Sequence, residues 1–299
     1  MAIKKVALLG ADGNLGPAVL TALLAHSFQA TVLKRQSSKS SDEYPEGVSV
    51  AKVQDDFAVD AITPHLHGHD AVIATIKGSQ TDIQDRLAQA CVKAGVQRFI
   101  PADFGSVDSS SERTQDLVPL YKRKTELRER LMKLAEENSS FEWTSLVCGH
   151  FFDWSLDFLH VWLKERKMDF LDDGETKWSA STLERIGEAT ARILLHPDET
   201  RNKIVYVQSF CVTQDEVFAA FERATGEKWE KISYDAKKYE AEEKRKADAG
   251  DLDAVENLVW LLGALDANWE AKQNFAMKTL GLENENLDAA VQRIVKEKQ

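Results

Sequence analysis

Three glycines at three-residue intervals, in GADGNLG from Gly10 to Gly16, directly follow the apolar run VALL and lead into PAVLTALLAH. Glycine is costly inside regular structure, so three in register at the end of a strand-like run mark a backbone that turns sharply or lets something lie close. The setting, after a strand and at the mouth of a helix with Pro17 in its first turn, is the one a dinucleotide-binding turn requires. In such a turn Gly10, Asp12, Gly13, Asn14, Leu15 and Gly16 surround a pyrophosphate with main-chain N–H groups at a helix N-terminus. A packed strand-to-helix turn with no ligand is the plainer alternative, and the context makes it the weaker one. Asp12 is awkward, because an acid inside a phosphate turn has to point away or cap a local N–H.

The residues ending the second strand-like run select among dinucleotides. A site for NAD usually places Asp or Glu there to hold the ribose hydroxyls, whereas VLKRQSSKSS offers Lys34, Arg35, Ser37, Ser38 and Lys39. That cluster suits a 2′-phosphate, hence NADPH/NADP+. Arg35 leads, because its planar fork matches phosphate better than a lysine point charge, with Lys39 beside it. An exposed basic loop with no ligand is the alternative reading of the same residues.

Strand-like and helical patterns alternate through the first half: KKVALL, LGPAVLTALLAH, ATVL, SVAKV, DAVIATI, DIQDRLAQACVKAG and RFI. This predicts βαβ units around a parallel sheet, and the nearly unbroken apolar character of VALL and AVIATI predicts strands covered on both faces. After PADFG the serine-rich SVDSSSERTQD reads as a mobile loop and a candidate lid. A charged helix then runs over 120–137, and FEWTSLV returns to strand character. Beyond Gly149 the chain becomes aromatic and helical. It has a strand at 203–207, a helix capped by Thr213, one charged helix over 236–257, and closing helices in VWLLGAL and DAAVQRIVKEK.

The net charge of −11 argues against a nucleic-acid partner, whose binding rests on clustered Lys and Arg. Cys91, Cys148 and Cys211 match neither a disulfide framework nor a zinc site, and HLHGH with His65, His67 and His69 reads as a surface loop, so no metal is expected. No run is long enough for a membrane span, and the apolar start is too short for a signal-peptide core; the expectation is a cytoplasmic protein with no membrane partner.

Taken together, GADGNLG, VLKRQ, HDAVIATI, QACVKAGVQRFIPADFG, YKRKTELRERL, SLVCGHFFDW and DDGETKWSASTLERIGEATARILLHP resemble the NmrA-like, or isoflavone-reductase-like, atypical short-chain reductases, over nearly the whole chain. This family includes phenylcoumaran benzylic ether reductases, pinoresinol-lariciresinol reductases and eugenol synthases. The resemblance implies an α/β fold: a Rossmann-like doubly wound parallel sheet over residues 1–150, binding NADP(H) and open to segments near 180–210, with a smaller α+β substrate domain over 151–299. It further implies that Lys124 is the catalytic acid-base group and also meets the cofactor, and that Thr75, Ile76, Lys77, Phe104 and Phe151 flank it. A lysine in a partly desolvated cleft can take or return a phenolic or carbonyl-adjacent proton. Read without the family, the residues favour a solvated helix-face lysine among Lys122, Arg123 and Arg128.

Tyr121, His150 and Phe152 are the candidate substrate-pocket residues. Tyr121 stands Y-x-x-K from Lys124 rather than Y-x-x-x-K, which makes packing or a pocket wall its expected role, and His150 reads more readily as an interface histidine than as a second proton handle. The expected function is NADPH-dependent reduction of a small aromatic or conjugated substrate. The alternatives are an NADP(H)-sensing regulator that binds a protein partner without catalysis, and a dehydratase or isomerase on the same fold. A homodimer is left open.

Overall fold

In the computed structural model, which describes residues 2–298, the first-half alternation becomes six parallel strands: β1 Lys5–Leu9, β2 Gln29–Arg35, β3 Ser49–Val53, β4 Ala71–Ala74, β5 Arg98–Ile100 and β6 Glu142–Val147. The sheet order is β6-β5-β4-β1-β2-β3, with a seventh strand, Lys203–Tyr206, outside β6. β1 therefore sits between β2 and β4, and the order reverses there: later strands build outward on one side, earlier ones on the other. Register aligns Leu9 with both Leu33 and Ala74, so the chain leaves β1, β2 and β4 at one level. In doubly wound sheets, ligands bind in the crevice outside such a switch point. β4, β5 and β6 are buried at every position, as strands covered on both faces must be.

The helices α1 Gly16–Ala25, α2 Val59–Leu66 and α3 Thr81–Ala94 link these strands. α3 ends at Gly95 in the left-handed conformation, the stop expected from sequence. The 120–137 helix begins at Pro119.

The chain divides into two compact units of nearly equal length, neither continuous in sequence: residues 1–104, 120–146 and 186–205, and residues 105–119, 147–185 and 206–299. Two features tie 186–205 into the first. A Cβ on Gly187 would lie 2.4 Å from the Ala18 carbonyl oxygen, so the Leu183–Leu195 helix packs backbone to backbone on α1. The fully buried Arg98 reaches Glu142 at 2.6 Å, Thr144 and Thr200 at 3.0 Å each, and the Pro197 carbonyl at 2.7 Å.

The second unit holds two small sheets, His150–Phe151 with Trp178–Ser181 and Phe210–Val212, and Val161–Trp162 with Lys167–Leu171 and Glu230–Tyr234. The helix Gln214–Thr225 begins in a full capping box between Thr213 and Glu216. Two expectations are corrected here. The serine-rich segment is not an unattached loop: Ser111 caps a short helix, Glu112–Leu117, Ser109 and Thr114 are fully buried, and Asp108 accepts from Tyr206 at 2.6 Å. The charged helix over 236–257 is two helices, Ala236–Asp248 and Leu252–Leu265, broken where Gly250 turns at φ +95° and Asp251 caps the second. Among the described residues, no helix is long and apolar enough to cross a membrane.

Candidate functional site

At the switch point the three glycines have separate jobs. Gly10 has φ +97°, and a Cβ there would stand 2.8 Å from the Thr75 carbonyl carbon, so both conformation and space demand glycine. Gly16 is set by space alone, because its Cβ would fall 2.2 Å from the Gly10 carbonyl oxygen. At Gly13 the nearest protein atom to a Cβ would be the Gly10 oxygen at 3.3 Å, a contact that a small shift would relieve. The protein itself therefore gives Gly13 the weakest reason to be glycine, which leaves close approach of a ligand as the stronger one. Leu15, at the N-cap of α1, provides no side-chain cap, so the first amides of the helix keep their donors for something else.

Gly10, Asp12, Gly13, Arg35, Ile76 and Lys77 line one cleft of about 470 Å³, together with Asp55, Phe57, Gln80 and Ile83. Arg35 is exposed at the last position of β2. Asn14 and Lys39 are exposed but do not line the cleft; Leu15 is buried at the head of α1. Thr75 acts as a tie: its main-chain N–H and its hydroxyl both donate to the Leu9 carbonyl, at 2.8 and 3.1 Å, clamping β4 to β1 beside Gly10.

Asp12 accepts from Ser40 at 2.6 Å and from Tyr44 at 2.7 Å, and pairs with Lys34 at 3.0 Å. Burial pushes its carboxyl up, and these three contacts more than offset that, holding it below the usual carboxylate range. Lys34 is only 4% exposed; it also pairs with Asp42 at 3.2 Å and donates to the Ser41 carbonyl at 2.5 Å. Burial opposes its charge, but contacts with Tyr44, Asp12 and Asp42 outweigh that and raise it above the usual lysine range. Of the basic cluster after β2, Lys34 is thus a structural cation anchoring the 40–44 segment, and Ser37 is taken by Asp55, to which its amide donates at 3.0 Å.

In the same unit, Lys124 is 8% exposed on the Pro119–Glu137 helix. Its Nζ donates to the Asp103 carbonyl at 2.5 Å and lies 3.7 Å from Asp103 Oδ1, with the Tyr121 ring centroid at 5.9 Å. Asp103 Oδ2 accepts from Arg128 Nε at 2.6 Å, meets Arg128 Nη2 at 2.6 Å, and accepts from Ser145. A Cβ on Gly78 would come 2.8 Å from Lys124 Cε, so this glycine makes room for the lysine. Phe104, next to Asp103, holds φ +37°, a conformation a bulky residue adopts only when its surroundings force it. Asp103, Arg128, Ser145 and Gly78 escaped the sequence reading. One signal was there: Lys124 and Arg128 are spaced i, i+4, on one helix face.

Tyr121 is 2% exposed and packs in the first unit. Phe151, in the second unit, is half-buried and meets Trp154 edge-on at 6.4 Å. Phe152 is fully buried against Phe210 at 4.6 Å, and His150 is 1% exposed, between Phe158 and Trp178 with Nε2 3.3 Å from the Trp260 carbonyl. Burial lowers the His150 pKa to about 4, so it is a neutral core residue at physiological pH. The side chains of His150 and Phe152 are thus both buried in the second unit, where the closing helix Leu252–Leu265 presents Gly263 directly against the His150 imidazole.

Comparison with known proteins agrees with this architecture. The chain is 34% identical over 227 residues to oxidoreductase aprR of Aspergillus flavus, covering 75% of each chain. It is 29% identical over 222 residues to oxidoreductase poxI of Penicillium oxalicum, covering 73% of this chain and 69% of that one. Its fold matches the structure of AtPrR2 with NADP+ and (+)pinoresinol at a TM-score of 0.80, with 22% identity over 98% of this chain and 99% of that one. It also matches the leucoanthocyanidin reductase–NADPH complex from Vitis vinifera at 0.75, with 17% identity over 98% and 99%. The NmrA-like family model aligns with residues 2–244, and the chain belongs to the NmrA-like family.

Proposed function

We propose that the protein is an NADPH-dependent reductase of a small aromatic or conjugated substrate, with Lys124 as its acid-base group. The observation that carries this reading is the cleft at the β1/β4 switch point, where a glycine turn, an uncapped helix start and the exposed Arg35 line up for a diphosphate and a 2′-phosphate. The naming of the aprR and poxI relatives as oxidoreductases and the NADP+ and NADPH complexes of AtPrR2 and leucoanthocyanidin reductase support it. The amides of α1 and the backbone around Gly13 would hold the diphosphate, Arg35 the additional phosphate, and Ile76 and Lys77 the ribose side. Bound NADPH would supply the hydride.

The chain's own contribution to the reaction is proton handling at Lys124 Nζ. Its ammonium is held by a carbonyl oxygen and lies near a carboxylate whose Oδ2 already pairs with Arg128 and accepts from Ser145, so that Arg128 balances its charge. Lys124 can therefore give up its proton without stranding a buried anion, which would otherwise cost several kcal/mol. It can then take a proton from a substrate hydroxyl or return one to a carbanion or alkoxide. Gly78 leaves the side chain room to extend.

The test is NADPH consumption across a panel of phenols and enones, with calorimetry of cofactor binding on the same protein. Turnover is expected for at least one member. Lys124→Ala should lower kcat by about 10²–10⁴-fold, the usual worth of a general acid-base group, while leaving NADPH affinity within a few-fold. Tight NADPH binding with no turnover on any member would replace this reading with that of a cofactor-sensing protein.

A further inference from the structure

The second unit has a cleft of its own, of about 830 Å³, inside the size range of small-molecule sites. Its walls are aromatic: Trp154, Phe158, Trp162, Tyr234 and Tyr239 all face it. Its charge is one-sided, with seven carboxylates against two lysines. Both lysines are already matched, Lys246 by Glu243 at 2.7 Å and Glu242 at 2.9 Å, Lys238 by Asp235 at 4.0 Å. Asp157, Asp253 and Glu256 have no ion-pair partner among the described residues, and all three are exposed.

His160 also lines this cleft, and it is held in one orientation. Its Nδ1 lies 2.9 Å from Asp169 Oδ2, which also accepts from Trp162 Nε1 at 3.3 Å. The ring stacks on Trp260 with centroids 3.8 Å apart and planes 11° apart, and the backbone sits at φ +57°. A carboxylate can only accept, so the pairing puts a proton on Nδ1, and in the neutral ring Nε2 is left as the acceptor. Among the described residues, no hydrogen bond is seen to Nε2. The result is an oriented acceptor beside aromatic faces under an uncompensated acidic rim. A cation gains from the rings and from the rim alike. An anion is repelled by the rim, and a neutral arene gains from the rings alone.

From this we infer that the cleft is a recognition site for a small organic ammonium ion on an aromatic scaffold, its charge among the rings and rim carboxylates and an N–H given to His160 Nε2. The inference concerns the second unit alone and does not rest on the proposed reductase activity.

The experiment is calorimetric titration of the full chain, with and without NADP+, using three probes: tryptamine, benzyltrimethylammonium and the anionic indole-3-propionate. Both cations are expected to bind one per chain, with indole-3-propionate at least tenfold weaker. Asp157→Asn, Asp253→Asn and Glu256→Gln combined should weaken both cations roughly fivefold or more, in line with loss of nearby opposite charge. His160→Gln should weaken tryptamine severalfold and leave benzyltrimethylammonium, which has no N–H to give, unchanged. If His160→Gln does not fold, the rim variant, confined to exposed positions, still decides the matter. Equal or tighter binding of indole-3-propionate, no heat from either cation, or displacement of the cations by NADP+ would overturn the inference.

Discussion

Replacing Arg128 by Met tests how Lys124 is held. Arg128 is 4% exposed and sends both Nε and Nη2 to Asp103 Oδ2 at 2.6 Å, while Lys124 stays 3.7 Å from the other carboxylate oxygen. Met keeps most of the arginine stem, so the change removes charge more than volume. Removing one partner of a buried ion pair costs about 3–5 kcal/mol, because the other is left uncompensated. Here Lys124 and Ser145 remain near Asp103, which places the expected loss near the low end, about 3 kcal/mol. The double variant Asp103→Asn/Arg128→Met removes both members of the ion pair and should recover at least half of that loss.

The same substitution predicts a kinetic change of defined sign. Without Arg128, Lys124 and the Ser145 hydroxyl are what remain beside the Asp103 carboxylate, which favours the ammonium, so a rate that needs deprotonated Lys124 should reach its plateau at higher pH. Denaturant unfolding of wild type, single and double variants gives the first result, and a pH profile of kcat gives the second. A double variant no more stable than Arg128→Met, or a pH profile that does not move, would refute the view that Lys124 belongs to a charge-balanced cluster.

Arg35→Ala should weaken NADPH binding by roughly 10–100-fold, the worth of a charge-assisted phosphate contact, while changing NADH affinity little; calorimetry with both cofactors reads the difference. Gly10→Ala should abolish cofactor binding, since the φ of +97° is strained for alanine and its Cβ would meet the Thr75 backbone at 2.8 Å; the same titration shows it. His150, with its folded-state pKa depressed by burial to about 4 from the 6.5 of an ordinary histidine, binds its proton more readily when unfolded. Its contribution is therefore fully present above pH 6.5 and is lost as pH falls toward 4, by on the order of 3 kcal/mol. Unfolding measured across that window should lose much of its slope in His150→Gln.

The glycine turn and the parallel sheet were legible in the residues because both rest on local rules: glycine spacing after an apolar run, and a period that switches between strand and helix. The same holds for the Gly95 stop and the Thr213 capping box, each set within a few residues. Lys124 could be singled out only by family resemblance, since a helix-face lysine among Lys122 and Arg123 carries no local mark of its burial.

What only the tertiary structure decided depends on which distant side chains meet. Lys34 and Arg35 are neighbours in a basic run and both line the cleft, yet the first is buried and paired with Asp12 and Asp42 under the Tyr44 ring, while the second is exposed at the end of its strand. Asp103 lies in a recognisable PADFG element, but its role exists only where Arg128 and Ser145 converge on it from another helix and strand. The two histidines were beyond local reading for the same reason. Gly263 closes on His150 from more than a hundred residues away and buries it, whereas Asp169 and Trp260 orient His160 toward an open cleft. Chain pattern determines where strands and turns form, because those follow from nearest neighbours. Burial and charge pairing decide what a titratable side chain can do, and both are set by contacts across long stretches of chain.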